Sequence, residues 1–264
     1  MHDFNYQKVS NVADAVSALK AADDGKVMAG GMTLLPTMKQ RLAAPSDVID
    51  LGGISGIDGV SVSGGITVGA MATHASVAGS STVKGILSAL ADLAEGIGDP
   101  QVRNRGTIGG SVANNDPAAD YPAACLALGA TIKTDRREIS ADDFFQGLFE
   151  TALEEDEIIT SVSFPAAEKS AYVKFPNPAS RYALVGVFVA KKANGVRVAV
   201  TGAGDEGVFR ATALEKALSS DFSASALDGA SVSADGLMSD IHASAEYRAH
   251  LITIMAKRAV AAAG

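Results

Sequence analysis

Cysteine is almost absent from this chain: Cys125 is the only one in 264 residues. No intrachain disulfide can form. An iron–sulfur cluster, which takes four thiolates as a rule, cannot be housed by this chain alone. Cys125 lies in the apolar run AACLALGA, so a buried, unreactive thiol is expected. Histidine is scarce as well. His2, His74, His242 and His250 show no zinc-ligand spacing and have no cysteine nearby, which argues against a structural metal. Basic residues are outnumbered, and the net charge is −8. A nucleic-acid or anionic-membrane partner needs a basic face, so only a local patch could serve one. No apolar run approaches the ~18 residues that a membrane span requires. The opening MHDFNYQK is polar and acidic, unlike a signal peptide, and a cytoplasmic location is expected. G-x-S-x-G, a Walker A loop and a cysteine beside a histidine are all missing, and nothing else suits nucleophilic catalysis.

What remains is a chain 47% hydrophobic and 20% charged, a globular composition long enough for two or three small domains. Helical spacing of Val12, Ala15, Val16 and Leu19 predicts a helix over 11–22, with Asn11 as N-cap. A short strand ends on Gly30-Gly31, and a helix over 34–42 follows, capped by Thr33, with Pro36 in its first turn. Residues 46–54 read as strand then turn, and 60–71 as a hairpin around Gly64-Gly65. A helix is expected at 84–96. Asp116-Pro117 reads as N-cap and N1 of a helix running to about Leu128. GATIKTD and REIS form a strand pair, and 156–165 is a strand stopped by Pro165. Residues 165–178 look like a boundary. Beyond it, 182–192 and 195–202 form a hairpin around Asn194-Gly195, and helices are expected at 211–219 and 244–262. Residues 220–236 read as loop or weak helix. The mixed order fits packed α+β units better than a doubly wound parallel sheet.

Two glycine-rich loops carry the chemistry: KVMAGGMTLLP from Lys26 to Pro36, and RNRGTIGGSVANNDPAAD from Arg103 to Asp120. Each precedes a predicted helix. A helix N-terminus offers unpaired N–H groups and a partial positive charge, and glycine lets a phosphate come close to the backbone. Ala29, Gly30, Gly31, Met32 and Thr33 fit that description, Thr33 adding a hydroxyl. Gly109, Gly110 and Ser111 fit it again, and Asn114 adds an amide. Asp116 and Asp120 could accept from ribose hydroxyls or an adenine amino group. Each feature has a plainer reading. Gly-Gly pairs make ordinary tight turns, Asp116 before Pro117 is a good cap, and Arg103 and Arg105 could neutralise a pyrophosphate, face a partner or be solvated. A third glycine run, GAGDEG at 202–207, matches G-x-G-x-x-G nominally. Asp205 and Glu206 would place two carboxylates on the pyrophosphate, so it is read as a turn between a strand and the helix at 211–219.

Taken together these segments resemble the FAD-binding medium subunits of molybdenum hydroxylases, of the aerobic carbon monoxide dehydrogenase and xanthine dehydrogenase kind. AGGMTLLPTMK is similar to the family's first FAD loop, and RNRGTIGGSVANNDPAADYPAACLALGA to its second. The likeness continues through FFQGLFETALEEDEIITSVSFP, VRVAVTGAG and SAEYRAHLITIMAKRAV, nearly the whole chain. It implies an α+β fold: a two-lobed FAD domain of the vanillyl-alcohol-oxidase (PCMH) type over 1–167, with lobes of about 1–52 and 53–167, and a small C-terminal α+β domain over 170–264. It implies FAD with its pyrophosphate between the two loops. It further implies electrons arriving from [2Fe–2S] clusters on a small subunit, a large molybdenum subunit that does the substrate chemistry, and a dimer of heterotrimers. Ala29–Thr33 and Leu34 match the first loop, and Thr107, Ile108, Gly109, Gly110 and Ser111 the second. Asn114, Asp116 and Asp120 fall on FAD-contacting positions, Ile159 on an apolar one, and Lys174 and Tyr182 on a lysine and a tyrosine near the flavin. The plainer readings are strand core for Ile159, surface charge for Lys174 and hairpin packing for Tyr182. Met32 and Ser111 depart from the family pattern, which more often has His or Gln and Asn there. The alternatives are a stand-alone flavin oxidase or reductase on the same fold, and a binding module that has lost its cofactor.

Overall fold

The computed structural model describes residues 1–264. Its N-terminal layer comprises β1 (Asn5–Lys8), α1 (Val12–Ala21), β2 (Gly25–Met28), α2 (Leu34–Lys39) and β3 (Asp47–Asp50). The strands form a parallel sheet in the order β1-β3-β2. Asn11 caps α1, its Oδ1 accepting from Asp14 N at 2.9 Å. The helix turns Ala15 and Leu19 onto Ile49 and Leu51, a small core that Ile158 completes from far along the chain.

The middle layer begins with the hairpin β4 (Val60–Val62) and β5 (Gly65–Gly69). Six short helices follow: α3 (His74–Gly79), α4 (Ser81–Ile86), α5 (Ser88–Glu95), α6 (Pro100–Arg103), α7 (Ile108–Asn114) and α8 (Tyr121–Leu128). Next come β6 (Thr131–Thr134), β7 (Glu138–Ser140), α9 (Ala141–Phe144), the hairpin β8 (Phe145–Gly147) and β9 (Glu150–Thr151), and β10 (Ile159–Pro165). The antiparallel sheet runs β4-β5-β10-β6-β7. The C-terminal layer is the antiparallel meander β11 (Lys169–Pro176), β12 (Ala183–Lys192), β13 (Gly195–Gly204) and β14 (Gly207–Arg210), with α10 (Thr212–Ser220) and α11 (Ala245–Ala263).

Every residue of α8 is buried, as expected of a helix that is apolar all round. It packs on β12 and β13. Strand alternation divides the side chains of β12. Phe188 and Ala190 join the core that contains α8, while Val185, Val187 and Val189 join the core that contains α11. The C-terminal sheet is therefore covered on both faces, and one of those faces continues into the middle layer.

Several elements differ from the reading of the sequence. The helix expected at 84–96 is two helices: the chain breaks at Leu87, whose backbone leaves the helical region and whose side chain is buried. The helix from Leu34 stops at Lys39 rather than reaching Leu42, with Arg41 left-handed at φ 60°. Asp116 does not open a helix: its carboxylate accepts from Ala118 N at 2.9 Å in a local turn, and α8 starts at Tyr121. The stretch 165–178, read as a boundary, also holds strand β11, which starts at Lys169. GAGDEG ends β13 and turns into β14 instead of leading straight into a helix.

Candidate functional site

The two glycine loops meet. β2 delivers Ala29 and Gly30 to the C-terminal edge of the parallel sheet, and Gly31, at φ +72°, bends the chain into α2. A Cβ on Gly31 would also crowd Leu35 Cδ1, at 3.0 Å. A cleft of about 780 Å³ opens between this loop and α7. Its volume falls in the ordinary range for cofactor sites, about 300–1,000 Å³. Ala29, Gly30, Gly31, Met32, Thr33 and Leu34 all line it. From Ala29 to Leu34 no backbone N–H donates to a carbonyl of the chain. Thr33 sits at the helix start in αR conformation and makes no cap hydrogen bond, which corrects the capping role expected of it. Its hydroxyl and this run of amides are donors of the kind that suit an anion.

The second loop works differently. Helix α7 begins inside it, at Ile108. Ile108 N donates to Ala72 O at 3.1 Å and Gly109 N to Ala70 O at 2.8 Å. Gly110 N donates to Thr107 Oγ1 at 3.1 Å, and Ser111 N to Thr107 O at 3.0 Å. The bare amides expected at Gly109, Gly110 and Ser111 are thus already satisfied. What faces the cleft is Thr107, Gly109, Gly110, Ser111 and Asn114: two hydroxyls, an amide and a smooth glycine surface. The Thr107 hydroxyl accepts from Gly110 and keeps its own proton to donate. Gly109 is required by packing, since a Cβ there would lie 2.6 Å from Ala70 Cβ. Ile108 does not reach the cleft and is fully buried in the middle core.

Asp116, Asp120, Ile159 and Tyr182 line the same cleft. Burial pushes the Asp116 carboxyl up, with its bond to Ala118 N opposing. Asp120 is buried and accepts from Tyr172 Oη, and from Lys174 Nζ at 3.1 Å. Burial pushes its carboxyl up too, while the Lys174 charge and both hydrogen bonds pull it down. Lys174 is neither a surface charge nor a cleft residue: its ammonium is buried between Asp120 and Gly96 O, 2.8 Å away. Tyr182 stands half exposed at the mouth, so hairpin packing does not account for it. Burial and the nearby Asp116 and Asp120 raise its phenol. Neither Arg103 nor Arg105 lines the cleft; Arg103 donates to Ile97 O at 3.0 Å and steadies the 97–98 turn.

Some lining residues were not anticipated in this role. His74 is buried at the base of the second loop, its backbone N–H donating to Gly106 O at 3.0 Å and its ring 5.4 Å from that of Tyr121. Burial, reinforced by Arg103, lowers its pKa to about 4, so the imidazole is neutral. Leu153 and Ile158 add apolar wall, and Glu157 closes that side. Arg137 grips Glu157 through two bonds of 2.9 and 2.7 Å, with Thr134 and the Glu154 N–H adding two more. These hold the Glu157 carboxyl down at about 2. Only the acidic run 154–157 was visible in the sequence, with nothing to place it here.

The cleft therefore joins a loop of unpaired amides, carboxylates suited to sugar hydroxyls, and apolar walls at Ile158 and Ile159. That donor set fits a flavin dinucleotide. Residues 2–167 match the family described as the FAD binding domain in molybdopterin dehydrogenase. Over 98% of this chain and 96% of the relative, the sequence is 37% identical to the nicotine 6-hydroxylase medium subunit of Paenarthrobacter nicotinovorans. With the same coverage it is 33% identical to the carbon monoxide dehydrogenase medium chain of Hydrogenophaga pseudoflava. Among solved structures, reconstituted CO dehydrogenase from Oligotropha carboxidovorans superposes with a TM-score of 0.90 at 31% identity, covering 99% of this chain and 97% of that one.

Proposed function

The chain belongs to the FAD-binding family of molybdopterin dehydrogenases, as an oxidoreductase medium subunit, and on that premise we propose that the cleft between its two glycine loops holds FAD. The observation that carries this reading is the run of residues from Ala29 to Leu34 that line the cleft and whose amides have no backbone partner. These amides and the Thr33 hydroxyl would hold the pyrophosphate. Thr107, Ser111 and Asn114 would hold it from the other side, and Asp116 and Asp120 would take sugar or adenine donors. Ile159 and Tyr182 would bound the flavin. FAD, when bound, supplies one- and two-electron transfer, and the chain supplies position, exclusion of water and a fixed electrostatic setting.

In this reading the chain passes electrons from [2Fe–2S] clusters of a small partner subunit to an external acceptor. A large molybdenum subunit chooses the substrate, in keeping with relatives named for substrates as different as nicotine and carbon monoxide. The single cysteine is consistent with clusters carried on another chain. Two copies of each subunit would assemble as a dimer of heterotrimers in the cytoplasm. No helix here is long and apolar enough to cross a membrane. Residues 1–52 and 53–167 would be the two lobes of the FAD domain, and 170–264 the C-terminal domain.

The test is an absorption spectrum of the purified chain, with and without added FAD, followed by chromatography of whatever denaturation releases. A flavin spectrum with FAD released is the expected result. A folded chain, assembled with its partners, that takes up no FAD would overturn the proposal.

A further inference from the structure

The wall of the cleft that carries Asp116 and Asp120 is held only in part by its own layer, through Ala119 N donating to Asp116 O and Ala123 N to Asp120 O. Residues 116–120 lie between α7 and α8, outside any helix or strand, so their backbone carbonyls lack the regular partners of a ladder. Pro117 O and Ala119 O find their partners in the C-terminal sheet. Gly202 N donates to Pro117 O at 2.7 Å. Thr201 Oγ1 lies 2.6 Å from Ala119 O and 3.0 Å from Pro117 O. A hydroxyl has one proton, so with Pro117 O already served by Gly202, Thr201 is left for Ala119. Tyr172, on β11, donates its phenol proton to Asp120.

These side chains are set by one another. Thr201 on β13 pairs across the sheet with Gly186 on β12. A Cβ on Gly186 would lie 2.3 Å from Tyr172 Oη and 2.8 Å from Thr201 Cγ2. The missing side chain at 186 is the space through which the phenol reaches Asp120. Neither Thr201 nor Tyr172 lines the cleft, whereas Asp116, Ala119 and Asp120 do.

We propose that Thr201 and Tyr172 are positioning residues of the cofactor cleft, acting from the C-terminal sheet through the segment 116–120. The proposal rests on the FAD reading above. Thr201 has no stake in the ladder through its side chain, and Tyr172 spends its hydroxyl on a carboxylate that faces the cleft. The C-terminal sheet thereby sets where Asp116 and Asp120 stand, and with them the affinity for the dinucleotide.

The test compares the full chain with Thr201→Val, Thr201→Ser and Tyr172→Phe. FAD affinity is read from quenching of flavin fluorescence, and stability from the melting temperature without FAD. Thr201→Val keeps the shape and loses the donor, and is expected to weaken FAD about tenfold, the loss of one buried hydrogen bond. Thr201→Ser restores the donor and is expected to recover most of that affinity. Tyr172→Phe is expected to weaken FAD as well, and it carries the test if Thr201→Val does not fold. Folded variants that bind FAD as the wild type does, whatever their melting temperatures, overturn the positioning role and leave the FAD reading standing. A folded wild-type chain that takes up no FAD even when assembled with its partners overturns both.

Discussion

A Cβ placed on Gly30 would lie 1.9 Å from the carbonyl oxygen of Arg105. The same atom would lie 2.6 Å from the Arg105 carbonyl carbon and 2.9 Å from Gly106 Cα. The obstacle is backbone on all three counts, so no side-chain rotation can relieve it. Gly30 is the point where the first loop crosses the strand of chain leading into α7, and it brings the free amides of one loop against the hydroxyls of the other.

Gly30→Ala should therefore separate the loops. Overpacking of this kind costs about 1–3 kcal/mol, and FAD affinity should fall by more than the stability does, because the cleft lies at the contact. Gly59→Ala is the control: a Cβ there has nothing within 4 Å. Thermal melts and FAD titrations of both variants check this. If Gly30→Ala matched Gly59→Ala in affinity, the loop contact would have no bearing on the cleft.

Gly110→Val tests the second loop. A Cβ at Gly110 would be 3.0 Å from Thr107 Oγ1 and 3.6 Å from Ala29 Cβ. The two methyls of valine must then push either into the Thr107 cap or into the space where a ligand would lie on the helix surface. FAD binding should be abolished, while the fold, judged by circular dichroism, should survive. A folded Gly110→Val chain with stoichiometric FAD would remove this loop from the cofactor site.

The local signals proved more legible than the contacts. Asn11 before an apolar 3.6-residue period, and the alternation through β12 and β13, report forces confined to neighbouring residues, and both are met in the fold. The glycines at 109 and 110 line the cleft, but without the bare amides expected of them. Their amides are consumed by Ala70 O and Thr107 Oγ1, and the first of those acceptors is supplied by the turn after β5, far away in sequence. Lys174 was hidden in the same way, because its burial depends on Asp120 and on the turn at Gly96. The break at Leu87 leaves no mark in helix propensity, since leucine is among the better helix formers. Residues 154–157 showed as an acidic run, but that Glu157 borders the cleft follows only from Arg137 reaching it across the end of the middle sheet.

Glu157 gives a prediction with a defined pH window. Its carboxyl is held at about 2, against an ordinary value of 4.5, chiefly by its hydrogen bonds to Arg137. A depressed carboxyl contributes stability that is present above the unfolded value and is lost as the pH falls through the folded one. The contribution is therefore full above pH 4.5 and gone near pH 2. Half-exposed Arg137 is partly screened by water, so about 2 kcal/mol is a fair magnitude. Glu157→Gln should be less stable than the wild type at pH 7 in urea denaturation, and the gap should close as the pH approaches 2–3. A gap that stays constant down to that range would mean the ion pair contributes packing alone.

His74 gives the opposite residue type and a different window. Its imidazole is kept neutral, down to about 4 from 6.5, first by burial and then by the charge of Arg103. Its Nδ1 has no hydrogen-bond partner, so nothing in the fold repays a proton placed there. Below pH 6.5 the unfolded chain takes up a proton that the native chain resists. Stability is thus intact above that pH and falls as the pH drops toward 4, by up to about 3 kcal/mol. His74→Leu removes the titration while keeping the site apolar. Its stability should decline less than that of the wild type between pH 7 and 4.5, measured by denaturation at each pH. The carboxylates, Glu157 among them, titrate in both chains, so the difference between the two slopes belongs to His74. Parallel slopes would show that water reaches this imidazole at the base of the cleft, and that the second loop does not seal it.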